Sequence, residues 1–254
     1  MGKNDTQQTT VVLWGGVDPG GQAGLAADLQ AANALGAQTR LVVTALTAQG
    51  GNFWLAGWPV PDTHREAVVK HLDLPANGVA FKSGMLSTRS HAAALMRLRK
   101  LHPSAPLVVD PLEKSSSGGL MWQAEDIAGL PAWLLQQVLP HASVVTPNWP
   151  ELAWLTGRVL ASYADAIAAL RLLPCAAVLK GGHAPEALRG VDVVWENGIA
   201  TELQPTHMWA QSPRGTGCRL ATAIAIGLAR GESLLASTAA AKALVAQLAE
   251  AQGV

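Results

Sequence analysis

The sequence predicts an α/β domain, a three-layer αβα sandwich in which a mostly parallel central sheet carries helices on both faces. Three observations predict it. Short apolar runs alternate with stretches of helical composition along most of the 254 residues. Apolar residues make up 49% of the chain, enough to cover a sheet on both sides. The glycine-rich and polar segments fall where the apolar runs stop, and in an open α/β sheet that edge is the ligand crevice.

Residues 10–16 (TVVLWGG) are an apolar run ended by glycines, a buried strand meeting a turn. A helix fits 22–35 with Gly36 as its stop signal, and a β-branched strand fits 41–46. Helices at 62–72 and 88–101 then alternate with strands at 79–82 and 106–110. Residues 127–139 read as a helix interrupted at Pro131, 142–145 as a strand, 150–155 as the opening of a helix and 176–180 as a strand. Segments 191–196 and 199–203 flank Asn197-Gly198, the preferred two-residue type I′ turn, and form a hairpin that breaks the alternation. Alanine-rich helices at 216–229 and 234–252 close the chain. With no linker, repeat or low-complexity tract, residues 10–254 read as one domain behind a disordered tail over 1–9.

Composition narrows the partners. The formal net charge is zero, 14% of residues are charged, and no basic run would track nucleic acid or an anionic membrane. The first ten residues lack the apolar segment of a signal peptide, and no stretch of about eighteen apolar residues follows. The two cysteines, Cys175 and Cys218, have no metal-ligand spacing and do not make a disulfide framework, so a reducing cytoplasm is expected. Nine tryptophans against two phenylalanines and one tyrosine, with no regular repeat, are assigned to core or interface packing.

The chemistry-bearing segments are 18–24, 44–51, 82–85, 110–119, 146–151, 180–183 and 214–218, all beside strand ends. In the last, Gly215, Thr216 and Gly217 open a helix whose exposed N–H groups and positive end suit a phosphate. No Gly-Lys-Ser/Thr follows, so this is not a Walker loop. Cys218 has two readings: a small buried residue, or a thiol whose pKa the helix terminus lowers. Asp110 ends a strand and Glu151 lies in the turn after another, so the two would hold Mg²⁺ beside phosphates, or simply serve as strand-end caps or solvated surface acids. Lys180, ending an apolar strand, would neutralise transferring phosphoryl oxygens or remain a strand-end cation.

The segments GGVDPGGQAGLAADLQAANALGA, VVTALTAQ, KSGML, VVDP, TPNWPELAWLTG, LKGGHA and GTGC run in the order and near the spacing of a known family. Over roughly residues 11–245 the chain resembles hydroxymethylpyrimidine kinase/phosphomethylpyrimidine kinase, a thiamine-pathway enzyme of the ribokinase-like superfamily. Ribokinases and most pyridoxal kinases carry aspartate where this chain has Cys218.

The resemblance implies a ribokinase-like kinase domain that uses ATP and Mg²⁺ to phosphorylate a small aminopyrimidine, as a cytoplasmic homodimer. It makes Cys218 the catalytic residue that helps activate the substrate hydroxyl, with Gly215, Thr216 and Gly217 as its anion hole. Asp28 and Gln49 match the polar residues that hold the aminopyrimidine, and Gly16 and Met85 match positions lining its pocket. Asp110, Asn148, Glu151 and Lys180 match the nucleotide, phosphate and Mg²⁺ side. A pyridoxal kinase of the same Gly-Thr-Gly-Cys type, or an impaired pyrimidine-binding homologue, are the alternatives.

Three departures from the family pattern bear on these roles. Gln22 replaces a glycine, which would bring a bulkier side chain close to the substrate. The loop usually reading Ala-Lys-Ser-Gly-Asp is here Ser115-Ser116-Ser117-Gly118-Gly119, with Lys114 two residues before the missing lysine. Arg214 stands where histidine is common, adding positive charge beside the phosphates or serving as a solvated loop residue.

Overall fold

The structure is a computed structural model, described here for residues 8–50, 53–115, 118–207, 209 and 213–251. Its elements are β1 (Thr10–Val17), α1 (Gly24–Ala34), β2 (Gln38–Gly50), β3 (Phe53–Pro59), α2 (Asp62–Lys70), β4 (Val79–Ser83), α3 (Arg89–Leu101) and β5 (Leu107–Val109). The second half adds α4 (Leu130–Gln137), β6 (Val144–Val145), α5 (Trp149–Thr156), α6 (Tyr163–Leu170), β7 (Ala176–Leu179), β8 (Asp192–Glu196), β9 (Ile199–Leu203), α7 (Thr216–Ala229) and α8 (Leu234–Glu250). The strands form one sheet in the order β3-β2-β1-β4-β5-β6-β7-β8-β9. The pairings β2–β3, β7–β8 and β8–β9 are antiparallel and the others parallel.

Period-two alternation divides the strand side chains between two cores. Val12, Trp14, Phe81, Leu107, Val109 and Leu179 face α3, α4, α5 and α6. Val11, Leu13, Ala80, Val108 and Val178 face α1, α7 and α8. In that second layer α7 runs between α1 and α8, and every residue from Cys218 to Gly227 is buried. A Cβ on Gly227 would stand 2.5 Å from Ser237 Oγ, so the glycine lets α7 and α8 approach closely.

Several boundaries differ from the sequence reading for identifiable reasons. The strand expected at 41–46 continues through Gln49 to Gly50 and pairs with the unforeseen β3, so the segment taken as a loop is largely a long hairpin arm. Pro131 does not interrupt a helix. Gly129 precedes α4 at φ 65, and Pro131 lies in the first turn, where its missing N–H costs nothing. α6 went unseen although Ser162 caps it by accepting from Asp165 N. Asn197 and Gly198 both have positive φ, 51 and 80, as the expected type I′ turn requires. Of the tail expected over 1–9, residues 1–7 lie outside the described residues, while Thr9 is buried and its carbonyl accepts from Gln38 N. The last residue of the helix expected to reach 252 also lies outside them.

The α1 start is pressed onto the end of β1. Gly24 has φ 56, and an added Cβ would stand 2.3 Å from the Gly16 carbonyl oxygen; Gly36 has a similar φ of 64 but nothing within 4 Å. Gly36→Ala should therefore cost only the left-handed backbone penalty, about 1–2 kcal/mol. Gly24→Ala adds a backbone clash and should cost about 3 kcal/mol or more. Urea unfolding of the two variants checks the difference, and equal losses would contradict the close approach.

Candidate active site

The strand ends and the start of α7 enclose a cleft of about 620 Å³. The candidate site residues from the sequence line it: Gly16, Asp28, Gln49, Met85, Asp110, Asn148, Glu151, Lys180, Arg214, Gly215, Thr216, Gly217 and Cys218. Gly215 caps α7 at φ 76, and a Cβ there would stand 2.1 Å from the Gln22 carbonyl oxygen, so the loop after β1 crosses over the helix terminus. Only glycine permits both the conformation and the crossing. The uncapped N–H groups of the first turn thereby face the cleft.

On one side of that terminus is a mostly apolar pocket. Gly16 lies against Met85, whose sulfur would be 2.8 Å from a Cβ on the glycine. Thr44 Oγ1 donates to the Met85 carbonyl and fixes the loop after β4. Gln49 Nε2 donates to Thr47 Oγ1 at 3.1 Å, while Arg214 Nη2 donates to Gln49 Oε1 at 2.9 Å. Beneath the pocket Asp28 is fully buried on α1; its Oδ1 accepts from Lys82 Nζ at 2.7 Å and from Thr222 Oγ1 at 2.8 Å. Burial pushes the Asp28 carboxyl up, against the pull of Lys82, and the same ion pair outweighs the burial of Lys82 and keeps its ammonium charged.

On the other side Lys180 Nζ donates to Asp110 Oδ1 at 2.7 Å and is 3.5 Å from Glu151 Oε2. Thr146 Oγ1 donates to the same Asp110 oxygen at 3.1 Å. Asn148 and Glu151 form a reciprocal capping box at the start of α5, with distances of 2.7 and 2.8 Å, which holds both side chains at the cleft edge. Burial, reinforced by Asp110, raises the Glu151 carboxyl to about 6 against the opposing pull of Lys180 and the Asn148 N–H. Lys180 is itself held charged because Asp110 and Glu151 outweigh its burial. A Cβ on Gly217 would be 3.3 Å from Lys180 Nζ and 3.8 Å from Asp110 Oδ2, so this charged group meets the first turn of α7 directly.

Two expectations are corrected. Cys218 is a thiol, not a thiolate favoured by the helix end: it is buried, and burial first, then the charges of Asp28 and Asp110, push it up to about 11 against the pull of Lys82 and the Gly24 backbone. Gln22 does not line the cleft, since its side chain is exposed and its backbone carbonyl is what meets Gly215. Lys114 lines the cleft beside Ser115, while Ser116 and Ser117 lie outside the described residues.

Sequence reasoning marked Lys82 only as the start of the segment 82–85, without a role, and missed Thr222. A lysine inside the otherwise buried strand Val79–Ser83 was the available signal, because such a charge needs a partner. It also missed Lys242, which donates to Asp192 Oδ2 at 2.6 Å and Gly190 O at 2.8 Å. Asp192 in turn accepts from Gly181 N at 2.7 Å, fixing the turn that follows Lys180. No cluster of three or more His, Cys, Asp or Glu able to hold a metal is found among the described residues. No helix among them is long and apolar enough to cross a membrane.

Residues 18–253 match the profile of a family described as phosphomethylpyrimidine kinase. The chain is 35% identical over 237 residues to a hydroxymethylpyrimidine/phosphomethylpyrimidine kinase of Rhizobium meliloti, covering 90% of this chain and 85% of that one. It is similar to the crystal structure of a phosphomethylpyrimidine kinase from Clostridium difficile, with a TM-score of 0.76, 26% identity and coverage of 95% and 99% of the two chains. It is also similar to a Staphylococcus aureus pyridoxal kinase in complex with AMP-PCP and pyridoxal, with a TM-score of 0.79, 27% identity and coverage of 94% and 87%. The fold is the ribokinase-like one that the sequence predicts.

The elevated thiol of Cys218 is directly measurable. Because its pKa is raised to about 11, the thiolate is a minor species at neutral pH, and alkylation of Cys218 by iodoacetamide should accelerate about tenfold per pH unit up to pH 9 without a plateau. Site-resolved mass spectrometry checks this against Cys218→Ser, and a plateau near neutrality would show a depressed pKa instead.

Proposed function

The chain belongs to the phosphomethylpyrimidine kinase family and is a kinase, and from that premise we propose that it phosphorylates 4-amino-5-hydroxymethyl-2-methylpyrimidine, its monophosphate or both, with ATP as donor. One observation carries the proposal. A single cleft has a pocket with a buried carboxylate and an amide on one side of a helix N-terminus and a Lys180–Asp110–Glu151 group on the other, with a thiol between them. An aminopyrimidine presents adjacent donors and acceptors, which Asp28 and Gln49 complement. Gly16 and Met85 bound the ring.

Phosphoryl transfer depends on alignment and charge stabilisation. In this reading the first-turn N–H groups of α7, at Gly217 and Cys218, and the ammonium of Lys180, 3.3 Å from where a Cβ on Gly217 would stand, stabilise the transferred group. Asn148 and Arg214 also line the cleft, and in this reading both face the phosphates. The Arg214 carbonyl is held by Arg219 Nη1 at 2.7 Å, so its guanidinium can leave Gln49 for a phosphate without the backbone moving. Asp110 Oδ2 is a buried carboxylate oxygen with no partner among the described residues, and together with Glu151 it fits Mg²⁺, which takes few protein ligands. Bound there, the ion would supply charge neutralisation of the nucleotide phosphates. The substrate hydroxyl proton passes to Cys218 Sγ when the thiol is ionised. A thiolate of high basicity accepts that proton readily, at the cost of being a small fraction of the resting enzyme.

The likeness to pyridoxal kinase structures favours pyridoxal as a second substrate, since it too carries a ring hydroxymethyl group. A homodimer in the cytoplasm completes the proposal. The β2–β3 hairpin exposes Leu46, Phe53, Leu55 and Trp58, an apolar face suited to a second copy, and sedimentation reads its state.

The decisive experiment incubates purified protein with ATP, Mg²⁺ and each pyrimidine, with pyridoxal in parallel, and follows ADP and the phosphorylated products. Phosphorylation of at least one pyrimidine is expected; ligand binding without turnover would instead mark a pyrimidine-binding homologue. Cys218→Ala should lower kcat by about 10²-fold or more with an unchanged circular dichroism spectrum, and full activity in that variant would remove the thiol from the mechanism.

A further inference from the structure

Lys82 lies directly beneath the pyrimidine pocket, and no step above uses it. Its side chain, like that of Asp28, is fully buried, and its ammonium shares Asp28 Oδ1 with the Thr222 hydroxyl. Two donors on one oxygen fix the carboxylate plane. The second oxygen, Oδ2, is buried without a partner among the described residues and lies 3.8 Å from where a Cβ on Gly15 would stand. Gly15 thus has no side chain to cover Oδ2, and Gly15, Gly16 and Asp28 all line the cleft.

We infer that Lys82 is a positioning residue of the substrate site: it holds Asp28 as an anion with Oδ2 turned to the cleft, so that the pocket selects rings presenting an N–H donor there. The inference rests on the pyrimidine kinase activity proposed above. The groups that act on Asp28 are Lys82 from β4, Cys218 and Arg219 from α7, and Asp110 beyond β5. Among these only Lys82 is an ionic partner in direct contact with it in the described residues. Burial pushes the carboxyl up, and the charge and hydrogen bond of Lys82 are the largest pull in the other direction. A protonated Asp28 could present a hydroxyl donor to the ring amine instead of an acceptor, and the recognition would be inverted.

The test compares wild type, Lys82→Met and the charge-free double variant Asp28→Asn/Lys82→Met in steady-state kinetics from pH 6 to 9. In Lys82→Met the KM for the pyrimidine should rise about tenfold or more at pH 7 and fall again as pH rises and Asp28 loses its proton. The KM for ATP should move by less than about twofold, which a general loss of structure would not produce. The double variant has no buried carboxyl to titrate, so its pyrimidine KM should be raised at every pH without that recovery. Should Lys82→Met fail to fold, as an isolated buried carboxyl allows, the double variant shows whether the pyrimidine needs the buried carboxylate, without which Lys82 has nothing to position. A pyrimidine KM within about twofold of wild type in the double variant, or a Lys82→Met profile parallel to wild type, overturns the role of Lys82. Wild-type protein that phosphorylates neither pyrimidine overturns the underlying activity instead, and the inference with it.

Discussion

A charged side chain within the buried part of a parallel strand has to be neutralised in place, and the pairing of Lys82 with Asp28 organises the layer around it. Phe81 and Val79 turn to one core, so Lys82 necessarily turns to the other, toward α1 and α7. There it meets Asp28 from α1, and Thr222 from α7 completes the contact. Removing one partner of such a pair typically costs about 3–5 kcal/mol, whereas replacing both by apolar groups is often neutral. The pair therefore contributes to the placement of two helices and a strand more than to net stability. Cys218, one turn before Thr222 on the same face of α7, is placed by the same contact.

The second constraint is steric. Gly24 and Gly215 let the loop after β1 cross the start of α7, which brings that loop against the first turn of the helix. Asp18 stabilises that crossing by accepting from the N–H groups of Gly20, Gln22 and Ala23. Across the cleft, the capping box of Asn148 and Glu151 and the Lys242–Asp192–Gly181 chain hold the turns that carry the other charged groups. Lys180 is thus held by Asp110 and Glu151 and by the fixed turn that follows it.

Much of this was legible in the sequence because it is written locally. Alternating apolar runs and helical stretches identified the sheet, and Asn197-Gly198 located its hairpin. The motifs around Asp110, Asn148, Lys180 and Gly215 marked the cleft because glycine and polar residues at strand ends have few other uses in this fold. β3 was hidden because its seven residues show no clean alternation and three of them, Phe53, Leu55 and Trp58, are exposed. α6 carried a legible signal, the Ser162 cap with Asp165 three residues on. Gln22 was misjudged because a position in a motif does not say which way its side chain points.

The sequence by itself determined the order of the elements and the identity of the chemical groups, since helix starts, turns and strand ends are encoded within a few neighbouring residues. Only the tertiary structure decided the charge state and orientation of those groups. Asp28 depends on Lys82 at a separation of 54 residues and on Thr222 at 194, and Lys180 depends on Asp110 at 70. Cys218 illustrates the division. A helix start alone suggests an acidic thiol, whereas burial beside two carboxylates makes it a weak acid, because desolvation and through-space charge act over the folded neighbourhood and not along the chain.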